Sequence, residues 1–332
     1  MKVCIPGMAN GIGGPNSFRR YITKGLNDIG IDVIHQFSTE IDVVLLIGGT
    51  KNFKWLDTLK TSDIPIVQRL GPINWLYKFE SVLSKHYWMS RIRNNILFKI
   101  QKKYANYNIY QSNFCADWWH DELGESLVNQ SVIYNSVDIT KFPPVKNERS
   151  GKLKLIAVEG NLSYTSLVNK IPITLINKLN EVGIDSTLTL VGDLDTATKN
   201  NVKKMPNVDY LGVISNNLLH DVLSKHNIFI SSEILPACPN SPLEAMSTGL
   251  PVVGFDTGAL SELVRDNAGL CANYGTDPWS LDLPNYNNLV DAVRLVDSGL
   301  DKYSKNAVSN INKNFTLSKM TEEYVKVFKT LT

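Results

Sequence analysis

At 332 residues the chain is too long for one small domain and suits two of ordinary size. Hydrophobic residues make up 43% and charged residues 20%, a globular composition, and the net charge of +2 exerts no overall pull toward nucleic acid. No apolar run reaches the roughly 18 residues that a membrane-spanning helix needs; the best candidates, such as IDVVLLIGG (41–49), are of strand length. The first residues, MKVCIPGMANGIGG, lack a signal-peptide pattern and read as a buried strand entering a glycine loop. The four cysteines (Cys4, Cys115, Cys238, Cys271) and five histidines are scattered without metal-ligand spacing. Reduced thiols in a cytoplasmic protein are therefore expected, and no metal site.

Short apolar runs alternate with longer amphipathic ones, which predicts parallel sheets covered by helices. KVCIPG (2–7) is a strand, NSFRRYITKGLNDIG (16–30) a helix that Gly30 can cap, and IDVIHQ (31–36) a strand. IDVVLLIGG and IPIVQRLG (64–71) are further strands, and NIYQSNF (108–114) is another, followed by a helix over 115–124. Residues 130–152 change character, from a strand through a turn and two prolines to a polar run, which reads as a linker with the boundary near 148. The pattern then restarts: strand 153–160, helix 167–183, strands 186–192 and 208–212, helix 216–226, strand 227–232, helix 242–249 and strand 250–256. Two such sets predict two doubly wound domains, with ligands beyond strand C-termini. The last segment, FTLSKMTEEYVKVFKTL (315–331), reads as an amphipathic helix beyond the second domain.

The most informative stretch is CPNSPLEAMSTGLPVVGFDTGALSELV (238–264). Asn240 or Ser241 is expected to cap the helix that follows, with Pro242 where its missing N–H costs nothing. Free amides at a helix start, at the positive end of the helix dipole, suit a phosphate. Glu244, expected on the first turn, would be repelled by that phosphate, so its role is to accept hydrogen bonds from a neighbouring neutral diol such as a nucleotide ribose. The other reading of Glu244 is an acidic first-turn residue that only favours the helix.

PNSPLEAMSTGLPVVGFDTGALSELV resembles the donor-binding signature of the retaining glycosyltransferases of family 4 (glycosyltransferase group 1), which have the GT-B fold. NGIGGPNSFRRYITKGLNDIGIDV (10–33) resembles the family's first Gly-rich loop and helix, SVIYNSVDITKF (131–142) the segment joining the domains, and 208–233 the stretch that holds the base. The resemblance implies an α/β GT-B architecture: two Rossmann-like domains facing a cleft. It divides the chain into an acceptor-binding domain over 1–148, a donor-binding domain over 149–314, and a helix over 315–332 crossing back to the first. It implies that Glu244 binds the donor ribose and that Cys238, Pro239, Asn240 and Ser241 approach the diphosphate through backbone amides. Val213 and Ile214 would line the base, and Gly13 and Gly14 would let the opposite domain's backbone reach the diphosphate. Gly13–Gly14 also fits an ordinary strand-to-helix turn. A dehydrogenase is not supported, because the spaced third glycine and downstream acid are not convincingly present.

The implied activity is transfer of a hexose from a nucleotide-sugar, UDP- or GDP-linked, to a saccharide or lipid-linked saccharide with retained anomeric configuration, in bacterial surface polysaccharide synthesis. The acceptor attacks the face that the diphosphate leaves, so positioning and electrostatic stabilisation suffice and no metal or other cofactor is required. A non-catalytic nucleotide-sugar binder and a GT-B epimerase remain alternatives.

The chain departs from the family pattern in three places. The usual signature has two glutamates separated by seven residues, but Pro236 occupies the first place; Glu233, three residues earlier, either substitutes or is a rim carboxylate. The usual Arg and Lys after the second domain's first strand are replaced by Glu159, Asn161, Ser163 and, later, Lys170, which either neutralises the diphosphate or is a solvated helix lysine. The N-domain histidine has no counterpart; Arg69, expected exposed after a strand, either stabilises the leaving diphosphate or makes a structural salt bridge.

Residues 75–104 hold seven Lys or Arg and one acidic residue among interleaved aromatics. Such a surface suits an anionic inner leaflet, which would make the protein peripheral there; the alternative is a set of helices with aromatic core faces and solvated basic faces. No nucleic-acid-binding module is recognised.

Overall fold

The computed structural model describes residues 1–7 and 13–332, so the part of the expected Gly-rich loop at 8–12 lies outside the described residues. The chain forms two compact units, Met1–Asn135 with Leu317–Thr332, and Ser136–Thr316.

The first unit runs β1 (Lys2–Cys4), α1 (Gly14–Asp28), β2 (Asp32–Ile34), β3 (Val43–Ile47), α2 (Phe53–Thr61), β4 (Ile66–Leu70), a 3-10 turn (Leu76–Phe79), α3 (Lys85–Lys103), β5 (Tyr107–Tyr110), α4 (Asn113–Leu123) and β6 (Gln130–Val132). Its six strands are ordered β2-β1-β3-β4-β5-β6 and pair in parallel. The continuous apolar runs follow from burial on both sheet faces. Val3, Val43 and Leu45 pack with Phe18, Ile22 and Tyr324 on one side, while Cys4, Val44 and Leu46 pack with Trp55, Leu59 and Ile100 on the other. Tyr324 belongs to the final helix, which the second unit's elements precede in the chain. That helix lies so close to α1 that a Cβ on Gly25 would meet Thr321 Oγ1 at 2.0 Å.

The second unit comprises β7 (Leu153–Asn161), α5 (Ser166–Glu181), β8 (Ser186–Asp193), α6 (Thr196–Val202), β9 (Val208–Gly212), α7 (Asn216–Leu223), β10 (Ile228–Ile230), α8 (Asn240–Thr248), β11 (Val252–Phe255), α9 (Leu260–Leu263), β12 (Gly269–Ala272), α10 (Tyr286–Ser298) and α11 (Leu300–Asn314); α12 (Leu317–Lys329) then completes the first unit. The parallel order β12-β11-β10-β7-β8-β9 reverses direction between β7 and β10, the switch point at which such sheets bind ligands.

Several elements go beyond or correct the sequence expectation. α2, α6, α10, α11 and β12 were not anticipated, and the predicted strand 108–114 ends at Tyr110, with α4 starting at Asn113 under a Ser112 cap. The expected linker is partly an integral strap on α8: Ser247 Oγ donates to Phe142 O (2.7 Å) and Val145 N to Thr248 O (2.9 Å).

Candidate functional site

The site is built from the segments that leave the two strands flanking the switch point. β10 passes into a loop over 231–239, and α8 begins at Asn240. Contrary to the expected Asn240 or Ser241 cap, Pro239 is the N-cap, extended at φ −70°, ψ 141°. Proline at that place supplies no side-chain oxygen, so the helix starts without a side-chain cap and the expected capping residues become its first turn. Glu244 is consequently the fifth helical residue, on the second turn rather than the first. The macrodipole acts mainly within the first turn, so helix stabilisation alone does not account for a carboxylate there. Glu244 is 5% exposed, on a helix whose residues 242–248 are all buried.

The loop before α8 is fixed by its neighbour after β11. Gly258 has φ +58°, and a Cβ there would meet Pro236 N at 2.5 Å and Leu235 C at 2.6 Å. Ala259 N donates to Pro236 O (2.7 Å), and Leu235 itself sits at φ +54°. The TGA of the signature thus braces the turn carrying Glu233.

On the other side of the switch point, β7 ends in Glu159, Gly160 and Asn161, and α5 starts after Thr165, again without a side-chain cap. Glu159 and Glu233 are both partly buried and interact electrostatically. Desolvation pushes Glu233 up to about 7. Desolvation, and secondarily the charge of Glu233, raises Glu159 well above the usual carboxylate range. The Tyr164 phenol rises for the same two reasons. Near neutral pH these carboxyls therefore hold on to protons that ordinary glutamates have lost.

Four polar atoms in these segments are shielded from solvent without a hydrogen-bond partner: Thr165 Oγ1, Ser231 Oγ, Ser232 Oγ and Asn240 Oδ1. Buried polar atoms are nearly always paired, so their gathering around two uncapped helix starts asks for an explanation.

The other expected residues are placed as follows. The Asn161 side chain accepts from Ser163 N (2.9 Å) in its own turn, and Lys170 is exposed on α5. Val213 is exposed and Ile214 half-buried, both just after β9, three strands from β10 and so about 14 Å along the sheet edge. Cys238 is buried at the end of the loop, and Pro239, Asn240 and Ser241 follow it directly into α8. In the first unit, Gly13 (φ +118°) caps α1, which Gly14 opens, and added Cβ atoms on either would meet nothing within 4 Å.

Arg69 is a correction. It is 3% exposed within β4 rather than exposed beyond it, because the strand continues through Leu70. Its guanidinium donates to Asn135 Oδ1 and lies 3.6 Å from the Phe18 ring centroid. Its bracing partners are an amide and a ring; no salt bridge to it occurs among the described residues. Glu159 was noticed in the sequence only as a residue standing where a cation was expected. Its pairing with Glu233 depends on β7 and β10 being neighbours, which strand order alone reveals. Among the described residues no group of three or more His, Cys, Asp or Glu could hold a metal ion.

Residues 158–281 match the family model described as Glycosyl transferases group 1. A UDP-Gal:alpha-D-GlcNAc-diphosphoundecaprenol alpha-1,3-galactosyltransferase of Escherichia coli is 25% identical over 213 residues, covering 58% of this chain and 52% of that one. The chain thus spans about half the length of this curated relative. Among solved structures, Anabaena HepE in complex with UDP-glucose superposes with a TM-score of 0.72 at 16% identity, covering 99% of this chain and 100% of that one. Sucrose-phosphate synthase from Thermosynechococcus elongatus gives 0.72 at 13%, covering 99% and 98%. The chain is thus similar in sequence to the group 1 glycosyltransferases over residues 158–281, and its fold over nearly the whole chain is that of these solved structures.

Proposed function

We propose that the protein is a cytoplasmic glycosyltransferase that takes a hexose from a UDP- or GDP-sugar and transfers it, with retained configuration, to a saccharide or lipid-linked saccharide of a bacterial surface polysaccharide. The observation that carries the reading is the set of four unpartnered, shielded polar atoms around the uncapped starts of α5 and α8, at the switch point of the second unit. A diphosphate satisfies uncapped amides, and a sugar or ribose satisfies shielded hydroxyls and amides. The relative with a named activity uses a UDP-sugar and a lipid-diphosphate-linked acceptor, which supports the donor and acceptor classes.

In this reading Glu244 accepts hydrogen bonds from the ribose diol, and the amides of Asn240 and Ser241 face the diphosphate. Val213 and Ile214 lie against the base. Glu233 and Glu159, whose burial favours their protonated forms, offer the sugar hydrogen-bonding groups while placing less negative charge beside the diphosphate than two ionised carboxylates. The acceptor hydroxyl attacks the anomeric carbon on the face that the diphosphate leaves and passes its proton to the departing phosphate oxygen. The protein contributes position and a field complementary to the growing negative charge.

A second reading, binding without turnover, is favoured by Pro236 at the place of the signature's first glutamate. Thermal shifts with UDP, GDP, ADP, CMP and their sugars test the common part. A ligand at a hundredfold excess over its Kd stabilises by about 2.7 kcal/mol. One diphosphate is expected to shift the native protein, and Glu244→Gln is expected to weaken its binding about 10- to 100-fold through the lost charged hydrogen bonds. No shift with any nucleotide overturns both readings. Turnover of the sugar that binds then separates transferase from binder, and product formed from the donor alone identifies an epimerase.

A further inference from the structure

The basic, aromatic stretch around α3 lies outside the donor site, and its packing is inverted over the first turns of the helix. Ile100, near the helix end, joins the core, but the other buried residues of α3 are Ser90, Asn94 and Gln101. These are tied by side-chain hydrogen bonds. Asn74 Nδ2 donates to Ser90 Oγ (2.8 Å), Asn94 Nδ2 to Asn74 O (2.8 Å), Asn74 N to Asn94 Oδ1 (3.2 Å), and Gln101 Nε2 to Tyr110 Oη (3.2 Å). The first turns of the opposite face present Trp88, Met89 and Ile92 to solvent. The preceding turn adds Val82 and Leu83, the latter 91% exposed, and Trp88 Nε1 donates to Val82 O (2.9 Å), which binds turn and helix into one patch.

Cations surround the patch. Lys85 lies on the same helical face, Arg91 and Arg93 flank it, and the Arg91 guanidinium lies 5.4 Å from the Trp88 ring centroid. The stretch's one acidic residue, Glu80, is engaged by His86 Nδ1 and Ser84 Oγ. A soluble helix that seats polar residues inward and aims Trp, Met and Ile outward has its apolar face fitted to something other than its own domain.

We propose that the patch formed by residues 82–93 docks on an anionic lipid surface. Leu83, Trp88 and Ile92 enter the headgroup–acyl boundary while Lys85, Arg91 and Arg93 meet the lipid phosphates. A protruding apolar tip ringed by cations suits a bilayer surface, which supplies both phases together. Among the described residues no helix is long and apolar enough to cross a membrane, so the helix lies on the surface rather than through it. The proposal accords with a lipid-linked acceptor and does not depend on one.

The test is co-sedimentation with vesicles of phosphatidylcholine alone and of equimolar phosphatidylglycerol and phosphatidylcholine, alongside sedimentation velocity without lipid. Three proteins are compared: native, Leu83→Ser/Trp88→Ser/Ile92→Ser, and Lys85→Glu/Arg93→Glu. Each basic residue near an anionic surface is worth about fivefold in partitioning. The native protein is expected to bind anionic vesicles at least tenfold better than neutral ones, and both variants to lose at least tenfold. Melting followed by circular dichroism confirms that the variants, altered only at exposed positions, remain folded. The nucleotide shift is read separately, so failure of the donor reading leaves this test intact. Native protein that ignores anionic vesicles, or variants that bind as well as native, overturns the proposal. A self-association that the triple variant abolishes assigns the patch to a second copy and overturns it too.

Discussion

α8 and α3 are opposite solutions to placing a helix. The nine residues of α8 are buried from Pro242 onward on every side, and its one carboxylate is kept inside with Leu243, Ala245 and Met246. The nineteen residues of α3 show the reverse arrangement over their first turns, with amides and a hydroxyl inward and large apolar groups outward. The first helix is held by packing and carries a polar group as an exception that chemistry has to explain. The second is held in part by hydrogen bonds and carries apolar groups as the exception. In both, the residues that violate the burial rule are ones that a merely stable fold does not need.

The largest expected effect follows from the packing of α8. Leu243 is fully buried, and Leu243→Ala is expected to destabilise the protein by about 3 kcal/mol through lost transfer energy and a residual cavity. Urea unfolding followed by circular dichroism measures it, and a loss below about 1 kcal/mol would mean that α8 is not the packed element described. A smaller effect concerns the carboxyl pair. The native Glu233 carboxyl keeps its proton up to about 7, whereas the unfolded chain gives it up near about 4.3. Its contribution to stability is therefore fully present at low pH and is lost as pH rises from about 4.3 through about 7. Glu233→Gln is expected to flatten that fall and to stabilise the protein by about 2 kcal/mol at pH 8. Melting curves across this window check the sign, and an unchanged slope in the variant would place the titration elsewhere.

Much of this was legible in the sequence, and what was not has identifiable reasons. The alternation of apolar runs with amphipathic segments announced two parallel sheets because each strand is buried on both faces, as Val43 to Leu46 illustrate. The 238–264 signature marked the segment leaving β10 as the centre of interest. Its helix starts one or two residues earlier than the side chains of Asn240 and Ser241 predict, because Pro239 takes the cap position without a side-chain oxygen. The burial of Arg69 is not legible in IPIVQRLG, because nothing there shows that Asn135 and Phe18 cover its guanidinium. The pairing of Glu159 with Glu233 spans more than seventy residues and needs the adjacency of β7 and β10. The inversion of α3 was hidden for another reason. Its composition supports either an aromatic core face or an aromatic surface, and only the partners of Asn74, Ser90, Asn94 and Tyr110 decide between them.

Serine at Ile92 is expected to cost the least. If the outward residues of α3 contribute nothing to folding, Ile92→Ser should change stability by no more than about 0.5 kcal/mol, the range of ordinary surface positions. The comparable change Leu243→Ser in α8 would cost several times that, since it would bury a hydroxyl as well as remove apolar volume. The measurement is urea unfolding of the single variant beside Leu243→Ala, with an unchanged m-value showing that both report the same transition. A loss above about 1.5 kcal/mol at Ile92 would mean that the residue packs against its own domain in solution. The exposed face of α3 would then be structural, and the inverted helix would lose its claim on a partner. A change near zero leaves a large apolar residue, repeated at Trp88 and Met89, that the fold does not use.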